Sequence, residues 1–483
     1  NMKTSEKYNS KLVFVNLFFV FISMIMIFGR SFTGVKILGY RLGEIIILFA
    51  FLCSLTLFTD NPVSRSIDKK IINVHRVIVF SFFIYVVLSG GSFVEPYIYK
   101  SSSYIWTLIF IYLGIYLYEN KHLLRFDIKI LLVTLPLTYV LSSVYYPKFI
   151  QRFFINYSDV LDFLKASDLL LVFVVTNYMF FIASKNYKSP FIYLIVSGAI
   201  FFPYMAFKSK GAILPGIIFL VLMLYQYKKF IFKKKSYSLA VLLIGLLLFS
   251  VSSLRTFGGF ENISYGLFFS EREEDIKMHE EFTNFQSIVK TQVDRYDPDE
   301  IPDRYQTQEI ESVDEDKFLN IIPPEKQYEN VSHFWIFTLA DGRLYSNETN
   351  IDYRLQIWQD VLIDLNIQNR VLTGYAYNDI IPAMLPPERR GWDGSNENVH
   401  NYLINIFARG GIFHLFLFLT FYYQIISYWK RNNDNLLILV YMLPVFFTSL
   451  FDVTMESVRY PLIYFTFLGF FINFKKKIKE DLN

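Results

Sequence analysis

Cysteine is nearly absent from this chain of 483 residues, in which Cys53 is the single example. One cysteine excludes a disulfide within the chain and a zinc site built from several cysteines. Charged residues are also sparse, at 19% of the sequence, whereas hydrophobic residues make up 53%. A soluble chain of this length would divide into two or three domains with polar surfaces. The composition therefore favours a membrane protein.

The apolar residues are gathered into blocks of about 20 residues, the length that crosses a bilayer as a helix. We therefore predict an all-α polytopic membrane protein with about 12 transmembrane helices and one large loop. Helices 1–9 fall within residues 1–254, the loop within 255–400, and helices 10–12 within 401–483. The predicted spans lie near 12–28, 43–59, 72–89, 102–118, 128–145, 168–184, 190–206, 212–227, 238–254, 410–428, 435–451 and 458–474.

Lysine and arginine are concentrated in alternate connections between these spans, and such connections usually face the cytoplasm. This rule predicts that both termini are cytoplasmic and that the large loop lies on the outer face. The residues concerned are Lys69, Lys70, Lys121, Arg125, Lys185, Lys188, Lys228 to Lys235, Lys430, Arg431 and the lysines of the C-terminal tail.

The large loop, 255–400, is strongly acidic. It holds 28 Asp and Glu against 13 Lys and Arg, a net charge of −15, whereas the rest of the chain has a net charge of +19. An acidic outer domain argues against nucleic-acid binding, which needs a basic surface. The acidic stretches 297–299 and 314–316 could ligate a hard cation, but a solvated acidic segment explains them as well.

The later part of the loop has a helical pattern at 350–366, with Asn350 as a candidate N-cap. Arg354 lies on the apolar stripe of this helix, one turn from Trp358. A buried arginine needs an anionic partner, so Arg354 is a candidate anion-binding residue. The alternative is an arginine that reaches the lipid headgroups or pairs with a carboxylate of the loop.

A second outward segment, Lys208-Ser209-Lys210-Gly211, lies at the mouth of a span. Two lysines there would attract phosphate, or would serve as an interfacial anchor. The segment 146–166 is also outward and amphipathic. We expect a helix lying in the membrane interface, either as a packing element or along a groove for a lipid tail.

His400 is the histidine placed where the loop re-enters the membrane, next to Asn401. If a helix continues from there, Gly411 returns to nearly the same face as His400. Glycines permit close packing of helices, so the histidine could face an enclosed site. The alternative is an ordinary interfacial histidine.

Together these patterns resemble the O-antigen ligase and polymerase superfamily. The family signature is His followed by Asn, Ser or Gln, nine residues, Gly, two residues, then Gly, Thr or Tyr. His400-Asn401 and Gly411 are similar to it, and His414 departs from it at the last position. Arg354, Trp358 and Gly374-Tyr375 resemble the family's loop motif. Ser209-Lys210-Gly211 resembles its outward Ser-Arg-Gly, with Lys in place of Arg.

The resemblance implies an inverting glycosyltransferase of the C type that needs no metal and no other cofactor. Its donor would be an oligosaccharide on undecaprenyl pyrophosphate at the periplasmic face of the bacterial inner membrane. His400 would be the general base, and Arg354, Lys210 and Lys208 would hold the pyrophosphate. Asn401, Trp358 and Gly411 would support the site. A chain-length regulator and a flippase are the expected protein partners, in addition to the bilayer.

The resemblance leaves two activities open. A polymerase transfers the glycan to a hydroxyl of another lipid-linked repeat unit, whereas a ligase transfers it to lipid A core. We favour the polymerase, because a long acidic loop suits recognition of one repeat. The nearly complete histidine signature favours the ligase. A polysaccharide transporter or flippase has a similar span count, but this sequence lacks the internal repeats typical of transporters.

Overall fold

The computed structural model describes residues 2–59, 67–125, 128–143, 147–159, 164–257, 331–334, 337–340, 342–386, 389–390, 396–433 and 435–474. The acidic stretches 297–299 and 314–316 lie outside the described residues, so the structure says nothing about a cation there.

The described chain is mostly helical. Its α-helices, numbered in chain order, are α1 Met2–Thr33, α2 Leu42–Leu55, α3 Lys69–Leu88, α4 Pro96–Ser101, α5 Ser103–Trp106, α6 Phe110–Glu119, α7 Thr134–Ser143, α8 Lys148–Tyr157, α9 Ala166–Ala183, α10 Lys188–Lys208, α11 Ile213–Lys233, α12 Lys235–Phe257, α13 Thr349–Ile367, α14 Tyr402–Asn433, α15 Ile438–Ser449 and α16 Arg459–Ile472. Its strands are β1 Lys36–Ile37, β2 Tyr40–Arg41, β3 Val331–Phe334, β4 Phe337–Ala340 and β5 Arg343–Ser346.

Seven helices in the described part of the chain are long and apolar enough to cross a membrane. They are Ser10–Thr33, Lys69–Leu88, Ala166–Ala183, Lys188–Lys208, Ile213–Lys233, Lys235–Phe257 and Tyr402–Asn433. Shorter apolar helices, Leu42–Phe58, Ser103–Glu119, Ile130–Ser142, Ile438–Ser449 and Arg459–Ile472, coincide with the other predicted spans. The total of twelve spans stays a prediction, because these five are shorter than a bilayer normally requires.

The helices differ in how much of their surface is covered. Helix α9 is apolar and buried on all sides, so it lies at the centre of the bundle. Helix α12 instead exposes large aliphatic side chains such as Leu243 and Leu247, as a lipid-facing helix does. Helices α6 and α16 touch backbone to backbone, because a Cβ added at Gly114 would lie 1.8 Å from the carbonyl oxygen of Thr466. Such small-residue contacts are typical of membrane helices.

The amphipathic segment predicted at 146–166 forms α8, which ends at Tyr157. Phe154 is buried, whereas Phe149, Phe153 and Tyr157 are exposed. The helix is therefore shorter than predicted, and aromatic side chains on one of its faces are exposed at the surface of the protein.

The chain divides into two compact units. The first comprises 1–258, 361–382 and 398–483 and contains the apolar helices. The second comprises 259–360 and 383–397. Its described part contains an antiparallel sheet of order β3-β4-β5, in which Val331 pairs with Ala340 and Phe337 with Ser346. The sequence patterns did not predict these strands. They also did not predict that 361–382, inside the loop, belongs with the helical unit.

Candidate active site

Helix α14 is interrupted at Gly411, whose φ of 63° and ψ of −167° are not helical. The segment 371–377 supplies the hydrogen bonds that the interruption removes. Tyr375 N–H donates to Ala408 O at 2.7 Å, and Ala376 N–H donates to Arg409 O at 2.9 Å. Ile412 N–H donates to Val371 O at 2.9 Å. A broken helix needs such partners, because unpaired backbone groups are costly in a membrane protein.

Two glycines make this contact possible. A Cβ added at Gly411 would lie 2.2 Å from Leu372 O, and one at Gly374 would lie 2.6 Å from Gly411 N. Both residues also have positive φ, which glycine adopts without strain. The structure thus joins two motifs that the sequence named separately, the Gly374-Tyr375 turn and the glycine of the histidine signature.

The expected unbroken helix from His400 to Gly411 is wrong, because α14 begins at Tyr402 and is interrupted at Gly411. Asn401 accepts a hydrogen bond of 3.1 Å from Ile404 N–H through its side chain, which is N-capping geometry. Its visible role is therefore to start the helix.

His400 is half-buried between the fully buried Val399 and the cap residue Asn401. Its φ of 55° lies in the left-handed region, which is uncommon outside glycine. Strained conformations of this kind persist where surrounding structure holds them, and they concentrate at functional sites.

His414 lies in the helix after the interruption and is fully buried. Its Nδ1 is 2.8 Å from Tyr377 Oη, which is 3.0 Å from Tyr104 Oη. Its Nε2 is 2.6 Å from Ser81 Oγ, and the Ser81 hydroxyl donates to Ile78 O at 2.7 Å. Since that hydroxyl has one hydrogen, Nε2 of His414 is the donor to Ser81 and Nδ1 accepts from Tyr377. His414, the residue that departs from the family signature, therefore connects the segment 371–377 to α3 through Tyr377 and Ser81.

Arg409 is a buried cation beside the same interruption, with 3% of its surface exposed. Its guanidinium donates to the carbonyls of Ala376 and Asp379 and to Tyr97 Oη. The bonds to Ala376 and Asp379 join Arg409 to the segment 371–377 and to the residues just after it. Arg409 therefore also holds residues 371–379 against α14.

Two acidic side chains lie near the connection between α15 and α16, at the end of the bundle where α14 begins. Asp168, at the start of α9, accepts hydrogen bonds of 3.1 Å from Arg459. Glu456 contributes a buried carboxyl, and burial raises its pKa to about 8. Sequence reasoning missed Glu456, because a glutamate in a short polar connection gives no signal of burial.

Lys208 ends α10, and its Nζ lies 5.7 Å from the ring centre of Tyr204. Lys210 opens the 3₁₀ turn Lys210–Ala212, in which Gly211 N–H donates to Ser209 Oγ at 3.2 Å. The direction of the Lys210 side chain lies outside what the structure describes.

Arg354 and Trp358 lie in the second unit, on α13. The predicted helix is confirmed, although it begins at Thr349, so Asn350 is inside it and is not the N-cap. Arg354 and Trp358 are both half-buried. Ile357, Val361 and Leu365 form the buried stripe predicted for this helix.

The same unit contains an arginine cluster that sequence reasoning missed. Asp360 forms ion pairs with both Arg343 and Arg389. Arg389 is further held by a 2.8 Å hydrogen bond to Ala383 O. Two guanidinium groups share one carboxylate, so this cluster of three side chains has a net positive charge.

The apolar helices, the interrupted helix and the buried polar groups at one end of the bundle define a multi-pass helical membrane protein. Residues 192–419 match the family model described as O-antigen ligase. The match confirms the resemblance to the O-antigen ligase and polymerase superfamily. A comparison with curated proteins gave no match. The matched region includes His400, Arg354, Lys208, Lys210 and Gly411, whose roles it does not assign.

Proposed function

We propose that this chain is an O-antigen polymerase that works as an inverting C-type glycosyltransferase at the periplasmic face of the bacterial inner membrane. Its donor is a glycan on undecaprenyl pyrophosphate, and its acceptor is a sugar hydroxyl of another lipid-linked repeat unit. The observation that carries the proposal is His400, held in a left-handed conformation at the start of α14 within the region that matches the family.

His400 is the proposed general base. It takes the proton of the acceptor hydroxyl as the oxygen attacks the anomeric carbon of the donor. The bond from that carbon to pyrophosphate breaks, and undecaprenyl pyrophosphate leaves with the electron pair. An imidazole has an ordinary pKa near neutrality and is suited to this proton transfer.

Arg354, Lys208 and Lys210 are the proposed pyrophosphate-binding residues. Negative charge builds on the leaving group, and cations placed beforehand stabilise it more in the transition state than in the ground state. An arginine can bind two phosphate oxygens at once. The arginine cluster around Asp360 supports the proposal that this part of the second unit favours anions. The chemistry needs no metal and no cofactor.

The ligase is the second candidate, and the description of the matching family favours it. The acidic loop favours the polymerase, because a large charged domain of −15 suits recognition of a specific repeat. A flippase and a chain-length regulator are the expected partners in either case. The family match favours both enzymes over a transporter.

Deleting the gene in its native host and separating the surface lipopolysaccharide on a gel tests the proposal. Core carrying a single repeat, without the long ladder, is the expected result for a polymerase. Bare core with lipid-linked polymer accumulating in the envelope would identify a ligase. An unchanged ladder would contradict both activities.

Complementation with single variants then tests the base. His400→Ala should lower the transfer rate by roughly 10²–10⁴-fold, the usual contribution of a positioned base, and leave little polymer. His122→Ala is the matched control, because His122 is an exposed histidine in the short turn Lys121–Leu123. Arg354→Lys should also fail, since lysine cannot form the bidentate contact. A normal ladder from Arg354→Ala would remove that residue from the mechanism.

A further inference from the structure

The connection between α15 and α16 carries an acidic side chain that the proposed mechanism does not use. Glu456 lies in this connection, and its carbonyl oxygen accepts a hydrogen bond of 2.9 Å from Ser103 Oγ. Ser457 closes the turn around it by donating to Thr454 O from its N–H at 3.2 Å and from its hydroxyl at 2.6 Å. The backbone of Glu456 is therefore anchored, which fixes where its side chain begins.

Both carboxyl oxygens of Glu456 are buried, and neither accepts a hydrogen bond from another residue among those that the structure describes. Leaving a buried carboxyl without donors is costly, and native proteins rarely do so without a functional reason. The neighbouring acids behave differently. Asp452 accepts from Val453 N–H at 2.8 Å, and Asp168 is paired with Arg459.

The surroundings of Glu456 are polar but do not satisfy it. It interacts electrostatically with Tyr104 on α5, Tyr402 on α14 and Asp452 on its own connection. Arg409 acts on the same Tyr104 from α14, and its Nε also has no partner within the described chain. Tyr402 is two residues after His400, so Glu456 lies close to the start of α14, the helix that follows the proposed base.

We propose that Glu456 is an acceptor-contacting residue, whose missing hydrogen-bond donors are hydroxyl groups of the acceptor sugar. The inference rests on the proposed function, which places the acceptor hydroxyl at His400 and therefore at this end of the bundle. A carboxyl with two unpaired oxygens can accept from two neighbouring hydroxyls of one sugar ring. Burial raises the pKa of Glu456 to about 8, so binding donors can shift it to the ionised form near neutral pH. Glu456 lies outside the matched residues 192–419.

Equilibrium binding to the purified full-length protein in detergent tests this assignment. The probe is the repeat-unit oligosaccharide released by mild acid from the lipid-linked pool of the native host, and isothermal titration measures its affinity. Glu456→Gln should bind it at least about tenfold more weakly, as expected when hydrogen bonds to an ionised group are replaced. Asp452→Asn is the matched control on the same connection, and it should stay within about twofold of the wild type.

The melting temperature separates contact with the acceptor from a structural role. At pH 8 Glu456→Gln should melt at or above the temperature of the wild type, because it removes a buried carboxyl. Three results would overturn the inference: unchanged affinity in Glu456→Gln, an equal loss in Asp452→Asn, or weaker binding accompanied by a lower melting temperature. A wild-type protein that does not bind the oligosaccharide would overturn it as well.

The gel of the deletion strain keeps the two proposals apart. If deletion removes the ladder and Glu456→Gln restores a normal one, the inference fails while the proposed function stands. If deletion leaves the ladder unchanged, the proposed function itself fails.

Discussion

Two breaks in the helical structure, one inside α14 and one between α15 and α16, lie in the same unit and differ in how their polar groups are satisfied. At the Gly411 interruption of α14, the segment 371–377 supplies backbone partners, and His414 is bonded at both ring nitrogens. In the connection between α15 and α16, the backbone is anchored but the carboxyl of Glu456 has no partner within the described residues. In the first arrangement the polar groups are satisfied within the fold, whereas in the second the carboxyl oxygens of Glu456 are left without donors from other described residues.

Gly411→Ala should disrupt the contact between α14 and the segment 371–377, and it should cause the largest loss of stability. The new methyl group would overlap Leu372 O, and φ would be strained, so we expect a loss of at least about 3 kcal/mol in stability and little folded protein. Thermal unfolding in detergent and membrane abundance measure it. Gly90→Ala is the control, because Gly90 also has positive φ but nothing lies within 4 Å of its added Cβ. That variant should lose only about 1–2 kcal/mol, and equal losses would contradict the proposed steric cause.

His414→Leu should come next, because it removes the hydrogen bonds that the imidazole makes to the buried hydroxyls of Tyr377 and Ser81. An unsatisfied buried group costs about 1–3 kcal/mol. Combining it with Tyr377→Phe should give less than the sum of the two single losses, since both remove the same hydrogen bond. A double-mutant cycle of unfolding in detergent measures the coupling, and additive losses would show that the bond contributes nothing.

The pH dependence of stability tests whether the carboxyl of Glu456 is buried without donors, in contrast to the satisfied side chain of His414. Burial raises its pKa to about 8, above its ordinary value of 4.5. Between these values the unfolded chain releases the proton and the folded protein keeps it, so stability falls as pH rises and levels off above about 8. The slope is at most about 1.4 kcal/mol per pH unit. Melting temperatures from pH 5 to 9 should fall less steeply in Glu456→Gln, and identical profiles would contradict the assigned burial.

Asn401→Ala should have the smallest effect, about 1 kcal/mol, because it removes one N-cap hydrogen bond. Asn401→Ser keeps a capping oxygen and should therefore have the stability and the product ladder of the wild type. A ladder that Asn401→Ser fails to restore, despite normal stability, would indicate a direct role in the reaction.

The sequence predicted the apolar spans and the loop helix, because hydropathy and helical spacing are local properties. It also singled out Gly374-Tyr375, His400-Asn401 and Gly411 as motifs. It could not predict that Gly374 packs against Gly411, since the hydrogen bonds of the interruption come from residues more than 30 positions away. The same limit explains why the sequence indicated Asn401 only as a supporting residue of the site, whereas the structure shows that its side chain caps α14.

What the sequence determined by itself is the class of the molecule: a chain of apolar helices with an acidic loop and motifs that resemble those of the O-antigen ligase and polymerase superfamily. Length and hydropathy decide that, because a helix must satisfy its own backbone in lipid. Only the tertiary structure decided which buried polar side chains find hydrogen-bond partners and which do not. His414 lies among apolar neighbours in the sequence and Glu456 lies in a short polar connection. Neither context predicts which side chain is satisfied, because that depends on distant partners. Ser81 and Tyr377 satisfy the histidine, while no described residue satisfies the glutamate.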